Sequence, residues 1–590
     1  MSRPARLRLN QGLVARAGAI GLAFIAWGCR TGPVSPAPGV SSSSAELAAL
    51  VDRYSTEARS AGARMPDLSF DAVRRAADTA RGWLRRLERV AAAGLSHQEQ
   101  LTLELLRWEA ERAVHDTLLY WYRFEALPAI SPMRSVQPRL AARPLGSPAD
   151  RQAYLALLAD VGRVFTALHA KMRAQSDRGI VLSREQTDNV VAYHRSLLDP
   201  RGERAFTPGA ARLAALGEAD RADFVAAVAR SVDSAIGPAL GGLVSYLDGE
   251  ARRQAADGVG LWQYPGGKDA YRMLVKRETT LDITPEAIHE LALRQMDALE
   301  ARMQAVRDSL GFRGTKEAFH EQLRRDRRFY VDTPEQVGQR LMAYADRIEP
   351  VMGRAFAVRQ KAPYGVRRLD PALEPSMTYG FYNWATGSDP KGYYNFNGSD
   401  LDQRSLLLAG AIAFHELIPG HHFQISLQRE NQALPPFRRT ATYAGYTEGW
   451  GEYSSSVVAT ELGMYRDAYE VYGRLVFDAF FIARLVVDTG MNYLGWPRSR
   501  AVAYMKEHTL ESPVQIDSET LRYSTRSPAQ ALAYRMGRET MVGLRAKAAG
   551  ALGSRFDLRR FHDALLASGS LPLLLLERHI DWWIVEEQKR

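Results

Sequence analysis

The chain has 590 residues, of which 46% are hydrophobic and 24% charged, with one cysteine, a formal net charge of +10 and a pI near 9.5. A chain of this size buries a large core without cross-links, and a lone cysteine excludes an internal disulfide. The basic residues are scattered as short arginine pairs among glutamates, with no stripe interleaved by aromatics, which argues against a nucleic-acid partner.

Residues 1–29 read as an export signal. Arg3, Arg6, Arg8 and Arg16 precede an apolar run over 17–27, too short to span a bilayer and long enough for a signal core. Cys29 follows Gly28 at the end of that run, in a context resembling a bacterial lipoprotein box, although Ala26 and Trp27 depart from its pattern. Lipid attachment at Cys29 is the expectation, against an ordinary cleaved signal or an uncleaved anchor. Residues 30–45, rich in Ser, Pro and Gly, read as a flexible tether. The protein is therefore expected in the cell envelope or periplasm, membrane-bound if Cys29 carries lipid and otherwise secreted.

From residue 46 onward the pattern is helical. Ser96 and Glu99 form a capping box before an apolar-periodic run, and Thr284-Pro285 and Thr333-Pro334 each place a cap ahead of a proline in the first helical turn. Pro128, Pro132, Pro138 and Pro144 break the pattern, and 517–523 reads as a connector. Three short segments, 364–369, 376–383 and 392–397, read as strands bounded by Gly and Pro. The chain divides into an N-terminal helical region over 46–340, one wall of a cleft, and a catalytic region over 341–590.

The chemistry concentrates at His415, Glu416, Pro419, Gly420, His421, His422 and Gln424, inside an apolar helix-forming run. Half-charged groups in such a setting are costly unless paired or bound to metal. The common zinc signature needs a second histidine four residues after the first, and here that position is Pro419. In an unbroken helix His422, seven residues on, returns to the face of His415, whereas a kink at Pro419-Gly420 brings His421 round instead. Glu448 opens a second helical run and can supply a carboxylate ligand, Gly449 leaves room for close approach, and Glu452, one turn later, either orients a ligand or competes for that role. Two histidines and a carboxylate with an open fourth position constitute a catalytic zinc site.

These blocks identify the chain as a member of domain-of-unknown-function family 885, which is similar to the helical zinc metallopeptidases of the gluzincin group. The family pattern His-Glu-x-x-Pro-Gly-His with a nearby Gln stands here as His415, Glu416, Pro419, Gly420, His421 and Gln424, and its Glu-Gly-Trp-x-x-Tyr block as Glu448, Gly449, Trp450 and Tyr453. Asp488-Thr489-Gly490 and the block from Pro528 to Gly537 match two further family blocks. Asn492 departs from a usual His and Ala529 from a usual Gly. The resemblance favours His421 over His422. It implies a mainly α, zinc-metallopeptidase-like fold with a deep cleft and a small β-sheet beside the metal helix. It also implies one zinc per chain on His415, His421 and Glu448, with Glu416 as general base on the activated water.

A donor to the oxyanion is expected from Tyr534, with Tyr523 and Arg522 as rivals. The resemblance implies that a strand carrying Tyr393, Tyr394 and Asn395 holds the substrate backbone by its edge. Arg522, Arg526, Arg535 and Arg538 crowd the last block, and a guanidinium facing the cleft would bind a substrate carboxylate. The expected function is zinc-dependent hydrolysis of short or unfolded peptides, carboxypeptidase- or dipeptidase-like. The alternatives are a non-catalytic, peptide-binding envelope lipoprotein and a metal-dependent amidase or esterase.

Overall fold

The structure is a computed structural model and describes residues 42–62, 65–198, 205–371, 374, 379–386 and 389–590. The export signal, Cys29 and most of the predicted tether lie outside the described residues. The first helix starts at Ser42, inside the stretch read as tether, and spans Ser42–Gly62.

The caps read from sequence start helices where expected. Ser96 Oγ accepts the Glu99 amide at 3.4 Å while Glu99 accepts the Ser96 amide at 2.8 Å, opening His97–Leu119. Thr284 caps α1 (Pro285–Ser309), and Thr333 with Gln336 forms a capping box before Pro334–Ile348. These side chains satisfy amide donors that the first helical turn leaves unpaired.

Two segments differ from expectation. Met133–Ala142 is helical despite Pro138, because a helix absorbs one proline when the freed carbonyl reaches solvent, and Arg134, four residues earlier, is exposed. The supposed connector is also helical: a Ser512–Gln515 capping box opens Pro513–Leu521, followed by a wide five-residue turn at Arg522–Arg526.

The strands are β1 (Tyr364–Arg368), β2 (Gly380–Asn383) and β3 (Gly392–Phe396). Their order is β1-β3-β2, with β3 parallel to β1 and antiparallel to β2. Four helices surround the site: α2 (Ala409–Glu416), α3 (His421–Glu430), α4 (Ala444–Tyr453) and the largely buried α5 (Ala468–Asn492). A further helix, α6 (Leu532–Leu552), packs along α4. One apolar core runs from Leu101 to Ile584, so both the N-terminal and the C-terminal regions contribute to it.

Buried titratable groups make stability pH-dependent. Burial pushes Asp488 and Glu511 up to about 7, against the hydrogen bonds each accepts from Tyr271 and Tyr379 respectively. A raised carboxyl stabilises the fold at low pH, and the contribution is lost as pH rises from about 4 to about 7. Burial pulls His194, His320, His562 and His579 down to about 4, so their contribution is lost as pH falls from about 6.5 towards 4. The melting temperature is expected to rise from about pH 4 to about 6.5, where the four histidines outweigh the two carboxyls, and Glu511→Gln to steepen that rise by removing an opposing slope. A melting temperature that falls steadily over the same range contradicts this assignment.

Candidate metal site

Proline decides the geometry. The helical run does not continue through Pro419: α2 ends at Glu416, the Ile418–Pro419 peptide is cis, and α3 restarts at His421. The break turns His421 back towards His415, and the two rings meet edge to face with centroids 4.6 Å apart. The Trp450 indole N–H donates to the Pro419 carbonyl at 2.8 Å, so the block that carries Glu448 also clamps the turn.

Two close approaches bring α4 into place. A Cβ on Gly449 would lie 2.5 Å from Gly537 of α6, so the two helices cross backbone to backbone at that point. A Cβ on Gly451 would lie 2.7 Å from Cε1 of His415. Only a residue without a side chain lets the imidazole lie flat against α4.

His415 Nε2 lies 3.6 Å and His421 Nε2 3.2 Å from the same Glu448 carboxylate oxygen. Ligand atoms of all three residues fall within 4.8 Å of one another. Tetrahedral ligation with bonds of about 2 Å separates neighbouring donors by about 3.3 Å, so this buried His-His-Glu cluster can hold a metal ion.

Glu452 supports the cluster from behind. His415 Nδ1–H donates to Glu452 Oε1 at 3.2 Å, fixing the tautomer that presents Nε2 to the centre. Glu452 is in turn bound by Arg474 at 3.0 Å, Arg474 by Asp478 at 3.0 Å, and Asp478 by Arg535 at 3.2 Å. Glu452 therefore holds the His415 ring, and Glu448 is the carboxylate that meets both imidazoles. We expect Glu452→Gln to weaken metal affinity about 10- to 100-fold in a chelator-competition titration. An affinity equal to the parent's would remove Glu452 from this role.

Electrostatics separates the carboxylates. Burial opposes ionisation of Glu448, but hydrogen bonds from His415 and His421 outweigh it and hold Glu448 well below the usual carboxylate range. Burial alone would lower His415, yet its bonds to Glu448 and Glu452 lift it to about 9. Glu416 is pushed up by burial, partly offset by His421 and His415, and its Oε2 is sealed from solvent with no partner. A carboxylate adjoining the cluster with an unspent acceptor and a raised pKa suits proton transfer.

His422 does other work. Its Nε2–H donates to the Ala362 carbonyl at 3.0 Å, and its Nδ1 accepts the Tyr382 hydroxyl at 2.8 Å. Burial lowers its pKa to about 4, so the ring is neutral and ties β2 to α3.

The cluster opens into a cavity of about 500 Å³ whose wall includes Glu416, Tyr394, Tyr534 and Arg522. The Tyr534 ring packs beside both Phe481 and His415, with centroids 4.9 and 6.1 Å away. Tyr523, Tyr393, Asn395 and Arg538 lie outside that wall. The buried Tyr523 hydroxyl binds Glu519 and accepts from Arg484 at 2.6 Å. Arg367 stacks on Tyr393, and the Asn395 amide donates to the Phe381 carbonyl at 3.2 Å. Arg538 pairs with Glu539 at 2.7 Å, and Arg535 is spent on Asp478 and Glu539. Because β3 is the central strand, its backbone is paired on both sides; Tyr394 reaches the wall by its side chain, and the strand at the cavity with a free edge is β2.

Sequence reasoning missed Tyr382, Arg484, Glu519 and Gln530 as wall residues. Arg484, a charge within the apolar run 479–487 of α5, was the available signal. Asn492 is buried and accepts the Leu261 amide at 3.2 Å while donating to the Tyr523 carbonyl at 3.0 Å, so it joins segments away from the wall. Ala529 has φ of 67°, the left-handed region where a glycine is at home.

Two solved structures share this fold. One, of a putative lipoprotein from Colwellia psychrerythraea, superposes with a TM-score of 0.78 at 23% identity, covering 93% of this chain and 100% of that one. The other, of a putative lipoprotein of unknown function from Shewanella oneidensis, gives 0.70 at 16% identity, covering 91% and 99%. No curated protein matches the chain. The family model for bacterial proteins of unknown function designated DUF885 matches residues 54–580, and the chain belongs to that family.

Proposed function

We propose that this protein is a zinc-dependent peptidase of the cell envelope that hydrolyses short peptides. The observation that carries the reading is the unpartnered carboxylate oxygen of Glu416 beside the His415, His421 and Glu448 cluster, at the wall of an open cavity. A binding protein has no use for an unsatisfied base there, and the blocks shared with helical gluzincins point the same way. Two imidazoles and one carboxylate suit zinc, which when bound supplies a Lewis acid that polarises the scissile carbonyl and acidifies water.

The chain's own residues supply the rest. Glu416 takes the proton from the attacking water and delivers it to the departing nitrogen. The Tyr534 hydroxyl, kept protonated by burial and by the Glu448 charge, donates to the oxyanion. The exposed edge of β2 pairs with an extended substrate backbone, with Phe381 and Trp384 at its rim. Envelope location fits the export signal, the Cys29 context and the lipoprotein description that both related structures carry.

The purified protein is expected to contain about one zinc per chain and to cleave short peptides in a manner abolished by a chelator and restored by zinc. Cleavage that survives complete metal removal overturns the proposal.

A further inference from the structure

One part of the cavity wall is more cationic than the protein's own carboxylates neutralise. Arg484, Arg522 and Arg526 line it with a single acidic partner, Glu519. Glu519 lies 3.1 Å from Arg484 and 3.4 Å from Arg522, and also receives the Tyr523 hydroxyl. Arg522 further donates to Gln530.

Arg526 has no hydrogen bond or ion pair among the described residues, and its Nε is sealed from solvent without an acceptor. More deeply buried arginines are paired through their other nitrogens, although Arg438 and Arg474 also leave Nε without an acceptor. Arg474 is matched by Glu452 and Asp478, Arg535 by Asp478 and Glu539, and Arg438 donates to the Gln98 and Ser568 carbonyls. Burial and the adjacent Arg522 lower the Arg526 pKa only to about 10, so it remains a cation at neutral pH. An uncompensated cation in a partly enclosed wall costs free energy unless a ligand supplies the counter-charge.

The backbone that carries the guanidinium is held in place. Arg526 ends the wide turn Arg522–Arg526, and three residues on the Ala529 amide is fastened to Asp488 at 3.0 and 3.1 Å. From there Gln530 and Tyr534, four residues apart, line the same cavity, and the Tyr534 hydroxyl lies within the field of Glu448. A chain of neighbouring groups thus connects Arg526 to the metal cluster.

We propose that Arg526, with Arg522 beside it, binds the free C-terminal carboxylate of a short peptide, so that cleavage at the His-His-Glu cluster releases one or two residues from the carboxyl end. This rests on the peptidase reading above. Water adds across the C–N bond: its oxygen joins the carbonyl carbon, and its proton passes through Glu416 to the nitrogen that leaves. The released fragment keeps its carboxylate on Arg526. Guanidinium and carboxylate suit each other because two parallel N–H donors meet two acceptor oxygens.

The test compares dansyl-Ala-Ala-Leu with its C-terminal amide, using the full zinc-loaded protein. The parent is expected to favour the free acid about 100-fold in kcat/KM, chiefly through KM, and Arg526→Gln to cut that preference below about fivefold, with Arg526→Lys between the two. Binding of both peptides to Glu416→Gln, followed by dansyl fluorescence, separates the two readings. If the parent cleaves neither peptide but the variant still binds the acid at least about tenfold more tightly, the carboxylate site stands and the peptidase reading fails. Equal binding and equal cleavage of acid and amide by the parent overturn the Arg526 assignment, with no variant required to fold.

Discussion

Replacing Glu416 by Gln is expected to lower peptide turnover by about a thousandfold while leaving the metal content of the protein unchanged. Glutamine has nearly the shape of glutamate and preserves the packing at the end of α2, but its amide does not accept and return a proton. Glu416 is not among the three residues whose ligand atoms converge, so its neutralisation leaves the donor set intact. Burial has already raised its pKa above the ordinary carboxylate value, which brings it nearer the range where a general base works at neutral pH. Turnover by steady-state kinetics and zinc by elemental analysis decide the matter together. Retention of more than about a tenth of the activity rules out the base, and parallel loss of zinc and activity makes Glu416 a ligand.

The second large effect separates the adjacent histidines. His421→Ala removes a ligand and is expected to weaken zinc binding by more than about 100-fold, beyond the usual cost of losing an outer partner. His422→Ala leaves the donor set whole. Its cost is structural: the Tyr382 hydroxyl loses its acceptor and the Ala362 carbonyl its donor, a destabilisation of about 1 to 3 kcal/mol. Competition against a chelator and a thermal melt on each variant read the two effects separately. If both substitutions release zinc equally, the division of labour drawn here is wrong.

The helical body was legible because its signals are local. Ser96 with Glu99, Thr284 before Pro285, and Thr333 with Gln336 act on amides within three residues, so neighbouring sequence suffices to place a helix start. Pro138 and the segment after Ser512 misled for the complementary reason. A proline's cost in a helix, and whether a short polar stretch winds up, depend on which groups reach solvent and what packs above them.

The residues of the metal site were likewise available in the sequence, as His415, Glu416, His421, His422, Glu448 and Glu452, but their roles were not. Helical periodicity alone favours His422 as the partner of His415. The break at Pro419, clamped by the Trp450 indole, selects His421 instead and leaves His422 to the β2 tyrosine. Glu448 and Glu452 lie one turn apart on the same helix; Glu452 meets His415 alone while Glu448 meets both imidazoles, on a helix seated by its crossing with α6 at Gly449 and Gly537.

The cavity wall is the most tertiary feature of all. It joins β2, α5, the helix Pro513–Leu521, the wide turn after it and the approach to α6, segments spread over more than a hundred residues of chain. Sequence by itself determined most of the helices, those with local start signals, and which side chains are capable of the chemistry, since both follow from short-range geometry and residue type. Only the packed structure decided which of those side chains converge, because convergence depends on where helices cross, and a crossing is fixed by close contact between residues far apart along the chain.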